Sequence, residues 1–298
     1  MKYAYFPGCS IHGSSKEYEM SANAINKRLG IELVEIPDWN CCGAIDAVYA
    51  YNPTLAISLA TRNLALAENM KTDVVTLCSA CFFTLSRANM MLRQYTDMKD
   101  RVDKVINDAG LKYAGDVKVR HYMDILANDV GFDRIRQNVT VPLKGLKIAP
   151  YYGCLIVRPT GIHAFDDPEH PVSMDKVVEA LGAEVVDYPD KTRCCGASLA
   201  ITDEKVMMEM TKAPLLTAKN AQADCIVTPC PMCHFNLDAK QRDVEKHFDV
   251  EIELPVLYIT QLVGLAFGLP PKELGLNRNI VSTNRVIEKV QALSHATH

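Results

Sequence analysis

The residues of this chain best equipped for chemistry are its cysteines, and their spacing is written twice. Residues 39–45 read WNCCGAI and residues 193–199 read RCCGASL, so two vicinal cysteine pairs each precede Gly-Ala. In the first half, Cys9 is followed after 31 residues by Cys41-Cys42-Gly43, and after 34 more by Cys78-x-x-Cys81. The second half runs Cys154, 39 residues, Cys194-Cys195-Gly196, 33 residues, Cys230-x-x-Cys233. Ten of the eleven cysteines fall into two sets of five. Only Cys225, at the start of an apolar stretch, stands outside, and it reads as a small buried hydrophobe.

The N-terminal MKYAYFPGCS carries a short apolar run broken by Pro7 and Gly8, unlike a secretory signal. Cysteine-rich chains without such a signal use thiols for metals or redox chemistry rather than as staples. Three uses compete for each set of five. A vicinal disulfide is disfavoured, because adjacent Cα atoms lie about 3.8 Å apart, below the usual span of a disulfide. Zinc takes four ligands and suits a CxxC half-site, but leaves one thiol over. An iron–sulfur cluster presents several irons, so neighbouring cysteines can ligate different ones. A cubane still requires only four thiolates, so a fifth is either idle or belongs to an altered cluster. The glycine after each doublet is expected to let backbone approach the bound group, with an ordinary turn glycine as the alternative.

The elements that must position these thiols repeat with them. KYAYFPGC (ending at Cys9) aligns with KIAPYYGC (ending at Cys154), LGIELVEIPDWNCCGA with LGAEVVDYPDKTRCCGA, and VVTLCSACFFTL with IVTPCPMCHFNL. More weakly, VRHYMDIL around His121 echoes VLYITQLV around Tyr258. The join falls near residues 138–146, giving repeats at 1–142 and 143–298. Short apolar strands at 74–77 and 225–228 alternate with amphipathic helical stretches at 53–70 and 203–221, a pattern of α/β architecture with parallel strands. The cysteines sit just after strand ends or at helix starts, the edge at which open α/β sheets bind ligands. The apolar run at 255–270 is too short for a bilayer and reads as a buried helix, so no membrane span is expected. With a net charge of −4 and no basic excess, a nucleic-acid partner is not expected either.

At these motifs the chain resembles the CCG-domain family, most closely the B subunits of methanogen heterodisulfide reductases, over nearly its whole length. The resemblance implies an α/β fold of two pseudo-symmetric CCG repeats with short parallel sheets and flanking helices. It also implies two non-cubane [4Fe–4S] clusters, each held by five cysteines. Carried over, Cys9, Cys41, Cys42, Cys78 and Cys81 would hold one, and Cys154, Cys194, Cys195, Cys230 and Cys233 the other. The implied activity is reduction of the disulfide CoM-S-S-CoB to its two thiols in one-electron steps, with the substrate between the clusters. Relatives of the D type, and glycolate-oxidase iron–sulfur subunits, carry ferredoxin CxxCxxC runs ahead of the repeats; this sequence does not. Electrons are therefore expected from other chains: a ferredoxin-like C subunit and a flavin-containing, bifurcating A subunit, linked to a hydrogenase or formate dehydrogenase. An anaerobic cytoplasmic setting follows from the same chemistry. The alternative is an iron–sulfur electron-transfer subunit of a hydroxyacid- or fumarate-type oxidoreductase.

The implied substrate carries a sulfonate and a phosphate, so basic groups near the cysteines are candidates for binding anions or moving protons. They are His12, Arg158, His163, Arg193 and His234, with His121 a weaker candidate because Tyr258 stands at the matching place. Trp39 is expected to shield a cluster or pack on a neighbouring helix.

Overall fold

The computed structural model of the protein describes residues 1–44, 46–162 and 165–296. Eight short strands form two four-stranded sheets. In the first, β1 (Lys2–Tyr5), β2 (Glu32–Glu35), β3 (Val74–Thr76) and β4 (Val119–His121) lie in the order β2-β1-β3-β4, all parallel. In the second, β5 (Lys147–Pro150), β6 (Glu184–Val185), β7 (Cys225–Thr228) and β8 (Val256–Tyr258) repeat that order and direction as β6-β5-β7-β8. The sequence repeat is thus a repeat of topology, and the fold is the expected α/β arrangement with flanking helices. β3 and β7 are buried along their whole length. Helices cover both faces of such parallel strands, which accounts for their unbroken apolar character.

Helices start where local chemistry ends the preceding loop. The Pro53–Glu68 helix opens on Asn52, whose side-chain oxygen accepts from Leu55 N at 3.0 Å, with Pro53 in the first turn. Its counterpart Glu204–Asn220 opens on Asp203, which accepts from Val206 N at 3.1 Å. The first begins eleven residues after Cys42 and the second nine after Cys195. The helices Ser79–Gln94 and Pro231–Ala239 begin directly after Cys78 and Cys230, at the ends of β3 and β7. Each CxxC consequently straddles a helical first turn, where unpaired N–H groups favour thiolate.

Residues 255–270 depart from the sequence reading. They open as strand β8 and only then form the Ile259–Ala266 helix. Pairing of Val256 with Ile226 and Tyr258 with Thr228 outweighs helical propensity at this edge of the sheet. Cys225 behaves as read: it pairs with Ile148 inside the sheet and is fully buried.

The repeats share one core. A hydrophobic cluster containing Ile25 and Val75 from the first half and Ile148, Cys225 and Leu262 from the second runs between the sheets. Two smaller clusters each enclose the buried cysteines of one repeat, and Met232 packs against both. Polar contacts fix the join, with Ser21 Oγ 2.6 Å from Thr260 Oγ1 and the Tyr18 hydroxyl donating to Pro229 O at 3.0 Å.

Candidate metal centre

The loops that carry the doublets are tied down by side chains of the helices that follow them. In the first repeat Asn63 accepts from Asn40 N at 2.9 Å and donates to Asn40 O at 3.0 Å, a reciprocal pair that fixes the residue before Cys41. Arg62 donates to Asp38 O at 2.6 Å and pairs with its carboxylate. In the second repeat the carbonyl of Cys195 accepts from Thr211 Oγ1 at 2.9 Å and Asn236 Nδ2 at 3.0 Å. Different residues reach the same end, a cysteine pair on rigid backbone.

These anchors bring all ten motif cysteines into one string of neighbouring sulfurs. Cys42 Sγ lies 3.4 Å from Cys81 Sγ, and Cys195 Sγ lies 3.6 Å from Cys233 Sγ. Cys9 contacts Cys41, Cys41 contacts Cys42, and Cys81 contacts Cys78. The second set matches this with Cys154 against Cys194, Cys194 against Cys195, and Cys233 against Cys230. Cys78 and Cys230, from opposite repeats, meet in the middle. Neighbouring thiols donating hydrogen bonds favour thiolate at three places, Cys41, Cys194 and Cys230. Cys42 and Cys9 hold Cys41 down to about 2, and Cys154 and Cys195 do the same for Cys194, to about 2. Cys233 and Cys78 hold Cys230 well below the ordinary thiol range. Cys9 and Cys41 are exposed, whereas Cys42, Cys78 and Cys81 are buried.

The donor chemistry fits iron–sulfur ligation. Each set offers five thiols joined neighbour to neighbour, and thiolate is the ligand such clusters take. Among the described residues, no group of three or more Cys, His, Asp or Glu side chains surrounds a single ion position. Backbone comes close to these sulfurs at the expected glycines, Gly196 N donating to Cys194 Sγ at 3.4 Å and Gly43 N to Cys41, and at two further glycines as well. A Cβ on Gly43 or Gly196 would meet helix atoms, Ala56 O at 3.3 Å and Met207 Cα at 3.1 Å respectively. A Cβ on Gly8 would lie 2.9 Å from Cys81 Sγ, and on Gly153 3.0 Å from Cys233 Sγ. Room for a Cβ beside a sulfur is lacking at the glycine before Cys9 and at its repeat partner before Cys154.

A cavity of about 240 Å³ adjoins the second set. All five of its cysteines line the cavity, and Ser79, Phe83, Thr84 and Arg87 line it from the first repeat. The Arg87 guanidinium sits 3.9 Å from the Tyr49 ring centre and 5.0 Å from that of Phe83, which orient it. A larger cavity, about 880 Å³, lies beyond β4 among Arg93, Lys118, Arg120 and Asp129, and no cysteine lines it.

The basic residues nominated from sequence lie elsewhere. His12 is exposed, edge-on to Trp39 and 3.9 Å from Glu35. Arg158 pairs with Glu169 at 2.7 Å, and Arg193 with Asp190 at 3.2 Å. His234 is buried, its Nε2 3.0 Å from Val256 O, and burial lowers it to about 4, so it stays neutral. None of these four lines the cysteine cavity, and His163 lies outside the described residues. His121 is buried at the strand-to-helix junction, 3.5 Å from Ser79 Oγ. Trp39 packs edge-on against Phe6 and donates to Glu35 at 2.7 Å. Arg87 escaped the sequence reading because it lies six residues after the CxxC. The signal was helical spacing, since Ala80, Phe83, Thr84 and Arg87 recur at three and four and share a face.

Comparison with known proteins agrees with this geometry. The CCG family model, a cysteine-rich domain, matches residues 3–86 and 148–238. The membrane anchor subunit of 8-methylmenaquinol:fumarate reductase from Wolinella succinogenes is 38% identical over 285 residues, 96% of this chain and 99% of that one. The B subunit of the ferredoxin:CoB–CoM heterodisulfide reductase of Methanosarcina mazei is 34% identical over 297 residues, 98% of each. Its counterpart in the ferredoxin/F420H2-dependent CoB–CoM heterodisulfide reductase of Methanosarcina acetivorans is 33% identical over 295 residues, again 98% of each. Among solved structures, a hypothetical protein from Helicobacter pylori superimposes with a TM-score of 0.75 at 12% identity, over 95% of this chain and 52% of that one, a likeness of fold alone. Among the described residues no helix is long and apolar enough to cross a membrane. With both cysteine repeats matched and relatives above 30% identity along its whole length, this chain belongs to the CCG family of cysteine-rich domain proteins.

Proposed function

We propose that this chain is the disulfide-reducing subunit of a CoB–CoM-type heterodisulfide reductase complex. The observation that carries the reading is the cavity shared between the repeats, with all five cysteines of one set on its wall. The five thiols make this the room a cluster would fill, and Phe83, Thr84 and Arg87 of the other repeat close its far wall, where a substrate would meet that cluster. The two cysteine sets would each hold a non-cubane [4Fe–4S] cluster; when bound, these clusters supply electrons singly beside the substrate sulfurs. The reaction consumes two electrons and two protons per disulfide and releases two thiols.

The chain's own residues bind and orient. Arg87, steadied by Tyr49 and Phe83, offers a charge-assisted hydrogen bond to an anionic end of the substrate. Leu155, Met232 and Phe83 make the wall apolar, which keeps bulk water from the sulfurs. Electrons arrive from partner chains, a ferredoxin-like C subunit and a flavin-containing A subunit linked to a hydrogenase or formate dehydrogenase, in an anaerobic cytoplasm. A second reading, an electron-transfer subunit of a fumarate-type reductase, is favoured by the 38% identity to the Wolinella protein.

Iron, sulfide and zinc content of anaerobically purified protein, with EPR of the oxidised sample before and after adding coenzyme M or coenzyme B, separates the two. About eight irons per chain and a thiol-dependent signal support disulfide reduction. A spectrum indifferent to both thiols, or about four irons with one zinc, sinks it and leaves electron transfer.

A further inference from the structure

The two repeats finish their sheets differently. In the second, the chain runs on past the Ile259–Ala266 helix and lays residues 274–281 across the outer edge of β8. Ile226 N donates to Pro255 O at 2.9 Å, so Val256, the next residue of the strand, turns its own N–H and C=O away from β7. Asn279 Nδ2 donates to Val256 O at 2.7 Å and lies 3.2 Å from His234 Nε2. Gln261 Nε2 donates to Leu274 O at 3.2 Å and to Asn279 Oδ1 at 3.1 Å. Asp238 accepts from Ile280 N at 2.7 Å and Val281 N at 2.9 Å. The segment also covers a small pocket shared by Glu17 and Asp238. Val256, Gln261, His234 and Asp238 thus hold a clasp over the sheet edge.

The repeat sets a residue at each equivalent place of the first half. Counted from Cys78 as from Cys230, Phe82 stands for His234 and Ser86 for Asp238. Counted from the paired strands, Val119 stands for Val256 and Asp124 for Gln261. All four line the cavity of about 880 Å³ beyond β4. The ladder is the same there, since Val74 N donates to Lys118 O at 2.9 Å and so turns the N–H and C=O of Val119 outward. Here, however, the chain leaves through the Phe132–Gln137 helix to begin β5. Among the described residues no donor does for Val119 O what Asn279 does for Val256 O.

An open strand edge of this kind is a template for another chain. The charges around it say which kind. Arg120 is spent on Asp124 and Asp129. On the exposed rim stand Lys118 and Arg93, the latter donating to Gly115 O at 2.7 Å, against the single carboxylate of Asp116. Two cations against one carboxylate favour an acidic occupant.

We propose that this cavity seats a partner subunit of the reductase complex, which lays a short, extended, acidic segment across β4 where the second repeat uses its own residues 274–281. An N–H of that segment donates to Val119 O, and a carboxylate meets Arg93 and Lys118. The inference rests on this chain being one subunit of a complex, which both functional readings share, and is indifferent to the substrate reduced.

The test purifies the complex through a tag on this chain and treats it with a carbodiimide, which joins an amine directly to a carboxylate in contact with it. Mass spectrometry of the linked peptides should find Lys118 joined to an Asp or Glu of a partner subunit. The Val119 amide should exchange with deuterium more slowly in the complex than in the isolated chain. Lys118→Glu combined with Arg93→Glu should weaken partner binding roughly tenfold. Met90→Trp, which fills the cavity without changing charge, should weaken it too. Lys246→Glu, exposed on the Gln241–Phe248 helix, should leave binding unchanged, and thermal denaturation shows that each variant is folded. Folded variants that retain the partner in full overturn the proposal. So does an intact complex in which Lys118 links only within its own chain or to a second copy, or in which native mass spectrometry finds a small molecule in place of a partner link. A complex that fails to reduce CoM-S-S-CoB yet gives the Lys118 link overturns the disulfide reading and leaves the docking site standing.

Discussion

Replacing Gly8 with alanine isolates the contribution of backbone to the thiol array. Gly8 has φ 74° and ψ 166°, a region open essentially to glycine alone, and any other residue there costs about 1–3 kcal/mol. The new Cβ would also stand 2.9 Å from Cys81 Sγ, closer than real Cβ atoms come to a neighbour. That sulfur has no easy retreat, because Cys81 is buried and Cys42 Sγ is 3.4 Å away. Forcing the contact adds about 1–3 kcal/mol of overpacking. The sum, about 2–6 kcal/mol, is a large part of the roughly 5–15 kcal/mol that holds a domain folded. Gly110→Ala is the control, since Gly110 also has φ 74° but a Cβ there meets nothing within 4 Å. The assay is iron per chain together with thermal denaturation. Gly8→Ala should lose about four of eight irons and at least ~4 °C in Tm. Gly110→Ala should keep its iron and lose only the roughly 1–2 kcal/mol of a left-handed residue. Full iron and an unchanged Tm in Gly8→Ala would refute the claim that Gly8 is fixed by the sulfur it faces.

Further outcomes follow from buried groups. Arg120 is 7% exposed and donates to Asp124 at 2.6 Å and to both Asp129 oxygens at 2.7 and 2.8 Å. Arg120→Met should cost about 3–5 kcal/mol in urea denaturation at neutral pH, because it strands two carboxylates. The hydrogen bonds from Arg120 hold Asp129 below the usual carboxylate range, so its contribution is present above about pH 4 and lost as pH falls through the folded value. Wild type should therefore lose more stability on acidification than Arg120→Met does; parallel pH profiles would contradict this. Cys225, surrounded by sheet and shifted by burial rather than by another sulfur, should tolerate alanine at about 1 kcal/mol with iron unchanged. Cys42→Ala and Cys195→Ala, by contrast, should each remove about four irons.

The sequence by itself determined the repeat, the parallel α/β class and the two sets of five cysteines, because these are local or periodic signals that survive without a partner. Its limits show at particular residues. Residues 256–258 read as helix from apolar composition, and only pairing with β7 made them strand. The doublet glycines do reach sulfur, Gly196 N to Cys194 Sγ, but the crowding of Gly8 and Gly153 by the CxxC sulfurs was not legible, because it depends on how β1 lies beside β3 and β5 beside β7. His12, Arg158 and Arg193 are near the cysteines in sequence and turn outward to acidic neighbours, whereas Arg87 reaches the cavity through helical period. The meeting of Cys78 with Cys230, and the pocket shared by Glu17 and Asp238, join residues more than 150 apart in the chain. No local pattern encodes such contacts. They exist because the two repeats bury a common apolar face, and that burial decides which polar groups are carried inside with it.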